Sequence, residues 1–262
     1  MQVLTAAQER ARTRRAIGWL FVAAGGFFAF GYLITNWPGR DAPQVREGND
    51  MVELSLTGDL KGLDNADSSS RELVKKALSS RRLPLPDFIK DISKMPDSGS
   101  PFKAGITLHQ PVGTAVMDTQ PILRWVTPPG DWICTVTVDD GEGHTLANED
   151  ARRSGLWRPQ LDLPPDRTLR WTVVGRDPNG NRIASAKIGQ FRVVNAETRQ
   201  RLVSLRQQHG ELHVVLAAEF ANAGLIPEAQ SEVAQLMQQN PNSPLIFKWM
   251  ASLGGMRPVG SK

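Results

Sequence analysis

Side chains able to do chemistry are sparse in this 262-residue chain and widely spaced. Its four histidines are His109, His144, His209 and His213. The last two stand four residues apart, a spacing that would set two imidazoles on one helical face as a metal site needs. Gly210 weakens a helix at that point, and no third ligand lies near in sequence, so they read as unpaired surface histidines. Asp139, Asp140, Glu142, Glu149 and Asp150 crowd one region and offer the hard oxygen donors that calcium prefers. Their spacing fits no EF-hand loop, so they read as solvated turn residues. The one cysteine, Cys134, allows neither an intramolecular disulfide nor a cysteine-based zinc site. It sits in an alternating apolar run, whereas a reactive thiol needs exposure and a lowered pKa. No Gly-x-Ser-x-Gly and no phosphate-cradling Gly-rich loop is present. The expectation is no catalytic residue, no metal and no cofactor: the chain is not an enzyme.

The amino-terminal stretch is organised differently. Residues 16–37 are 22 residues without a charge, preceded by Arg10, Arg12, Arg14 and Arg15. At about 1.5 Å per residue such a helix crosses a hydrocarbon core of roughly 30 Å. The arginine excess before it places the amino terminus inside, and Trp19, Tyr32 and Trp37 lie near its ends, where headgroups would meet them. The run exceeds the ~7–15-residue core of a cleaved signal peptide and lacks a small-x-small site, so it reads as an uncleaved signal anchor. Arg14-Arg15 echoes a twin-arginine export signal, although topology alone accounts for the pair. Gly25 and Ala29 would let two such helices approach closely, which suggests a homo-oligomer. The expected location is the bacterial inner membrane, single-pass, with the lipid bilayer as a partner and the remaining domains periplasmic or extracellular.

Charge narrows the partner classes. Of 31 basic and 27 acidic residues, four and one precede Pro38, so the remainder is nearly balanced at 27 against 26. That balance gives no electrostatic footprint for nucleic acid.

Seven segments follow from the pattern: a basic tail over 1–15, the span over 16–37, and a polar stalk over 38–50. A small α+β segment covers 51–94, a Pro/Ser/Gly linker 95–101, a β-sandwich 102–195 and a helical region 196–262. Val52, Leu54 and Leu56 alternate with polar residues as one strand. Ser69 and Glu72 form a capping box for a helix through about Ser80. Between Ile106 and Val194, short strands alternate with turns, Asp177-Pro-Asn-Gly180 being the strongest hairpin signal.

Pro121-x-x-Arg-Trp125, Val136-x-Val138 and Leu163-(x5)-Leu169-x-Trp171-x-Val173 resemble a fibronectin type III or related immunoglobulin-like domain. The resemblance implies that Trp125 and Trp171 are core aromatics and that Cys134 packs where such domains often place a tyrosine. Leu216, Ala217, Phe220, Gly224, Ala229 and Pro241 resemble a tetratricopeptide repeat, with Pro227 opening its second helix. One repeat rarely stands alone, so neighbouring helices, the sandwich or a partner must complete it.

The whole order resembles a group of bacterial inner-membrane proteins, some of which carry a cytoplasmic zinc-binding anti-sigma domain. This chain has only 15 residues before the span, with no His or Cys among them. The expected fold class is therefore multi-domain: a single transmembrane helix, a short α+β segment, an all-β immunoglobulin-like sandwich and a C-terminal tetratricopeptide-like hairpin. The expected function is a non-enzymatic, membrane-anchored envelope protein that presents protein–protein interaction modules. Leu216, Ala217, Phe220, Gly224 and Ala229 would support a protein-binding groove. Two alternatives are a transmembrane regulatory relay, and a binder of surface carbohydrate using Trp132 or Trp157 as stacking rings.

Overall fold

The computed structural model describes residues 42–152 and 155–254. Near their start, β1 (Gln44–Glu47) and β2 (Asp50–Leu54) form an antiparallel hairpin with Val45 opposite Val52, and β3 (Leu60–Lys61) adds a third strand. Val45, Val52 and Leu54 are buried. Leu56, expected on the same face, is 85% exposed, because the strand has already ended and Gly58 N–H closes a turn onto the Ser55 carbonyl at 2.9 Å. β1 occupies what reads as a polar stalk. Its sequence shows one apolar residue, and the other inward position is a buried glutamate, so the alternation is not visible.

Helix α1 (Ser68–Ser80) is capped by Asp67, two residues before the expected capping serine. Asp67 accepts Ser70 N–H at 2.9 Å, meeting one of the donors that a helix start leaves open. It ends where Arg81 turns left-handed, at φ 56°. Helix α2 (Asp87–Ile92) follows Pro86 and buries Ile89 and Ile92.

Nine strands come next: β4 (Lys103–Gln110), β5 (Thr114–Val116), β6 (Leu123–Val126), β7 (Ile133–Asp139), β8 (Thr145–Arg152), β9 (Leu156–Trp157), β10 (Thr168–Arg176), β11 (Arg182–Ser185) and β12 (Gly189–Val193). β4 changes partner along its length, running parallel to β11 up to Ile106 and antiparallel to β6 from Thr107. β6 pairs β9, β7 lies between β8 and β10, and β12 pairs both β10 and β5. Cys134, Val136 and Val138 on β7 and Leu169, Trp171 and Val173 on β10 meet Leu123, Trp125 and Trp157 in one core. The period of two in these strands puts those residues on one face. Residues 95–101 are knitted to this layer: Ser98 N–H donates to the Ala186 carbonyl at 3.0 Å, and Lys187 pairs Asp97 at 2.6 Å.

Four helices complete the chain: α3 (Ala196–Gln208), α4 (His213–Asn222), α5 (Ile226–Gln239) and α6 (Pro244–Ser252). Residues 214–221 of α4 are all buried, as expected of a helix surrounded by others. They share a core with β1, β2, α1, α3, α5 and α6, in which Val45, Val74, Leu202, Val233 and Trp249 meet. The segment 51–94 thus packs with the carboxyl-terminal helices, although the strands of the large sheet separate them in sequence. From Pro43 onward the described residues belong to one compact unit.

These observations correct the expected fold class. The described chain is a mixed α/β fold with a large sheet and six helices. Among the described residues no helix is long and apolar enough to cross a membrane. The longest, α5, has 14 residues, about 21 Å against a hydrocarbon core of roughly 30 Å. The expected transmembrane helix, signal anchor and single-pass inner-membrane location are accordingly not supported. The run 16–37 on which they rest, with Gly25, Ala29 and the basic tail, lies outside the described residues.

Candidate binding groove

Helix α1 presents two stripes. Ser70, Val74, Ala77 and Leu78 face the core, while Ser69, Glu72, Leu73, Lys76 and Ser79 recur at helical spacing on the side that remains open. That second stripe forms one wall of a groove of about 700 Å³, completed by Arg201 of α3 and Glu219 and Asn222 of α4. A smaller recess of about 180 Å³ shares Arg201 and Asn222 and adds Phe88, Asp166, Arg192 and the start of α3.

The groove floor is held by a buried carboxylate. Glu219 is 0% exposed; one of its oxygens accepts the Ser70 hydroxyl at 2.7 Å and the other accepts Arg201 Nη1 at 2.7 Å. An isolated charge there would be costly, and pairing plus hydrogen bonding removes that cost. The result ties α1, α3 and α4 together and fixes the Arg201 guanidinium, which remains partly open to solvent. In the smaller recess Arg192 lies 4.5 Å from the centroid of the Phe88 ring and donates to the Asp166 carbonyl at 2.6 Å.

A second buried network lies at the other end of α4. Glu232 accepts from Arg206 at 2.5 Å and from His213 Nδ1 at 2.7 Å. Glu47 of β1 accepts the backbone N–H groups of His213 at 3.0 Å and Val214 at 2.6 Å. Burial raises the pKa of Glu47, partly offset by those two N–H donors. The sequence signals neither carboxylate, since each sits alone among polar residues. Only Glu219 leaves a trace, as a single acid inside the otherwise apolar α4.

The five residues expected to support a groove lie in the core. Leu216, Ala217, Phe220 and Ala229 are at most 1% exposed, and α1 packs directly on α4. The chain itself therefore covers the hairpin at these positions. Gly224, at φ 78°, sits at the α4–α5 turn beneath Phe88, where a Cβ would lie 2.7 Å from the ring. Its carbonyl accepts Ala115 N–H of β5 at 2.8 Å.

The other candidates are resolved by position. His209 follows α3 and His213 opens α4, so the two do not share a helical face. His109 lies on β4. Asp140, Glu142 and His144 bring one potential ligand atom each within 4.8 Å of one another. Asp140 is already engaged, accepting the backbone N–H groups of Glu142 and His144 and contacting His144 Nδ1 at 2.9 Å. The hydrogen bond with His144 leads the effects that hold the Asp140 carboxyl down to about 2, and the same bond raises the His144 pKa. Arg167 and Arg170 line the adjoining recess and oppose a cation. Glu149 accepts Trp157 Nε1 at 3.2 Å and Asp150 accepts the Thr135 hydroxyl at 2.7 Å. Trp157 is buried, and Trp132 is half-buried with its Nε1 donating to the Pro128 carbonyl. Cys134 is buried, and burial pushes its thiol pKa up.

No family model and no curated protein matches the chain. Among solved structures it is similar to a β-1,2-glucanase from Parabacteroides distasonis, with 7% identity and a TM-score of 0.30. The similarity covers 56% of this chain and 25% of the glucanase. A likeness that slight bears on neither fold nor activity.

Proposed function

We propose that this protein is a non-enzymatic protein-binding module that holds a segment of a partner chain in the groove between α1 and α3–α4. The supporting observation is the groove itself. It measures about 700 Å³, its walls are three helices joined by the Ser70–Glu219–Arg201 linkage, and Leu73 provides an apolar contact. Grooves between helices with an apolar contact and a few fixed polar groups are suited to peptides. A rigid floor lowers the ordering cost of binding.

The test is to pan a displayed peptide library against the intact chain and map the enriched peptides by hydrogen exchange. New protection over 69–79 and around Asn222 is expected. Protection confined to the strands of the large sheet, or no enrichment, would refute the reading.

A further inference from the structure

The groove lining carries a local excess of positive charge. Lys75, Lys76 and Arg201 line it with Glu72 and Glu219, and Arg201 and Glu219 neutralise each other in the floor. Two lysines thus stand with one exposed acid, Glu72, in a chain that is nearly balanced beyond Pro38. Lys75 and Lys76 line the groove and enter no ion pair among the described residues. Glu219, the acid of the floor, is fully buried with both oxygens engaged, so its charge is spent on Arg201 and does not confront an incoming ligand.

From this juxtaposition we infer that the occupant of the groove is an acidic protein segment with an apolar side chain that rests on Leu73. The inference rests on the binding role proposed above and specifies the partner. Opposite charges across an interface set partner choice and association rate more than raw affinity. The lining stripe from Ser69 to Ser79 runs about 15 Å at 1.5 Å per residue, which accommodates roughly four or five residues of extended chain at ~3.3 Å each. A nucleic-acid strand fits this surface less well. The lining contains no aromatic ring on which a base could stack.

Fluorescence anisotropy with labelled peptides of about eight residues distinguishes the cases. The probes are one peptide alternating Glu with Leu, its Gln-for-Glu and Lys-for-Glu counterparts, and an oligothymidylate. The proteins are the intact chain, the double variant Lys75→Glu/Lys76→Glu and the single variant Leu73→Asp, each checked for an unchanged melting temperature. The acidic peptide is expected to bind at least about tenfold more tightly than the other probes, and more weakly as salt rises. The double variant should lose about tenfold in affinity for it, and Leu73→Asp should weaken it as well. Equal binding of the Gln and Glu peptides, both weakened by Leu73→Asp, would overturn the acidic preference and leave the groove as a binding site. Oligothymidylate binding more tightly than the acidic peptide, and lost in the double variant, would overturn it in favour of nucleic acid. Binding by no peptide, or binding unmoved by either variant, would overturn the groove reading as well.

Discussion

A single absent methyl group decides how Trp171 is seated. A Cβ on Gly189 would lie 2.2 Å from Trp171 Nε1, the atom that donates to the Pro111 carbonyl at 2.9 Å. The indole is 0% exposed and has nowhere to move, so the position requires glycine for space. Gly189→Ala should therefore destabilise the protein by about 1–3 kcal/mol or more, read as a lowered urea midpoint with an unchanged slope. An unaffected midpoint would mean that the indole repacks freely. Asp67 is decided by charge at the same scale. The Ser69 hydroxyl is the leading cause that holds its carboxyl down to about 2, helped by Ser70. A depressed folded pKa contributes stability above the unfolded value near 3.9, lost as pH falls through the folded value. Asp67→Ala should cost about 1 kcal/mol at neutral pH, and the difference between wild type and variant should shrink between roughly pH 4 and 2. A difference that stays constant down to pH 2 would show that the ionised cap contributes nothing.

At the scale of elements, β1 is held to the helices by polar contacts more than by its single buried valine. Glu47 caps α4 through two N–H groups, Arg46 N–H donates to Asn240 Oδ1 at 2.7 Å, and Gly48 N–H donates to Gln239 Oε1 at 2.9 Å. Glu47→Ala leaves the buried Val214 N–H without its acceptor and should cost about 1–3 kcal/mol. Burial raises the folded pKa of Glu47, so its contribution is fully present below the unfolded pKa and declines as pH rises through the folded one. Urea titrations at pH 4 and pH 8 should accordingly show a larger loss for the variant at pH 4; the reverse order would contradict the assignment. Why β1 was not legible follows from the same chemistry. Sequence patterns report apolar periodicity, and this strand buries a charge. The strands around Val136 and Trp171, and a helix ending at Ser80, were legible because their buried faces are apolar at period two or capped by short polar residues. The groove was only half legible. The spacing of the hairpin is local, yet the helix that packs on its first helix is α1, whose sequence lies more than 130 residues away. No local spacing encodes such a long-range pairing.

For the whole molecule the question is whether two cores unfold as one. The helical core and the core of the large sheet meet at β5, which pairs β12 on one side and reaches the α4–α5 turn on the other. There the Thr114 hydroxyl accepts Ile226 N–H at 3.0 Å, the Ala115 amide donates to the Gly224 carbonyl, and Thr114 is only 5% exposed. A hydroxyl buried between two layers contributes to both only if neither opens without the other. Thr114→Val keeps the shape and deletes a buried hydroxyl that accepts Ile226 N–H and donates to the Ala115 and Gly224 carbonyls, at a cost of about 1–3 kcal/mol. In a single cooperative unit that loss lowers the global opening free energy, so slow amides in α4 and in β10 should lose protection together. The common factor should be about 5- to 150-fold, the equilibrium equivalent of that cost. Native-state hydrogen exchange reads both elements in one experiment. If only the α4 amides accelerate while those of β10 keep their rates, the layers open separately. The groove would then be a property of the helical layer alone, and the large sheet would contribute nothing to its rigidity. Equal acceleration would instead show that the β-layer, through Thr114 and Gly224, helps to hold α4 and with it the Glu219–Arg201 floor on which a partner would rest.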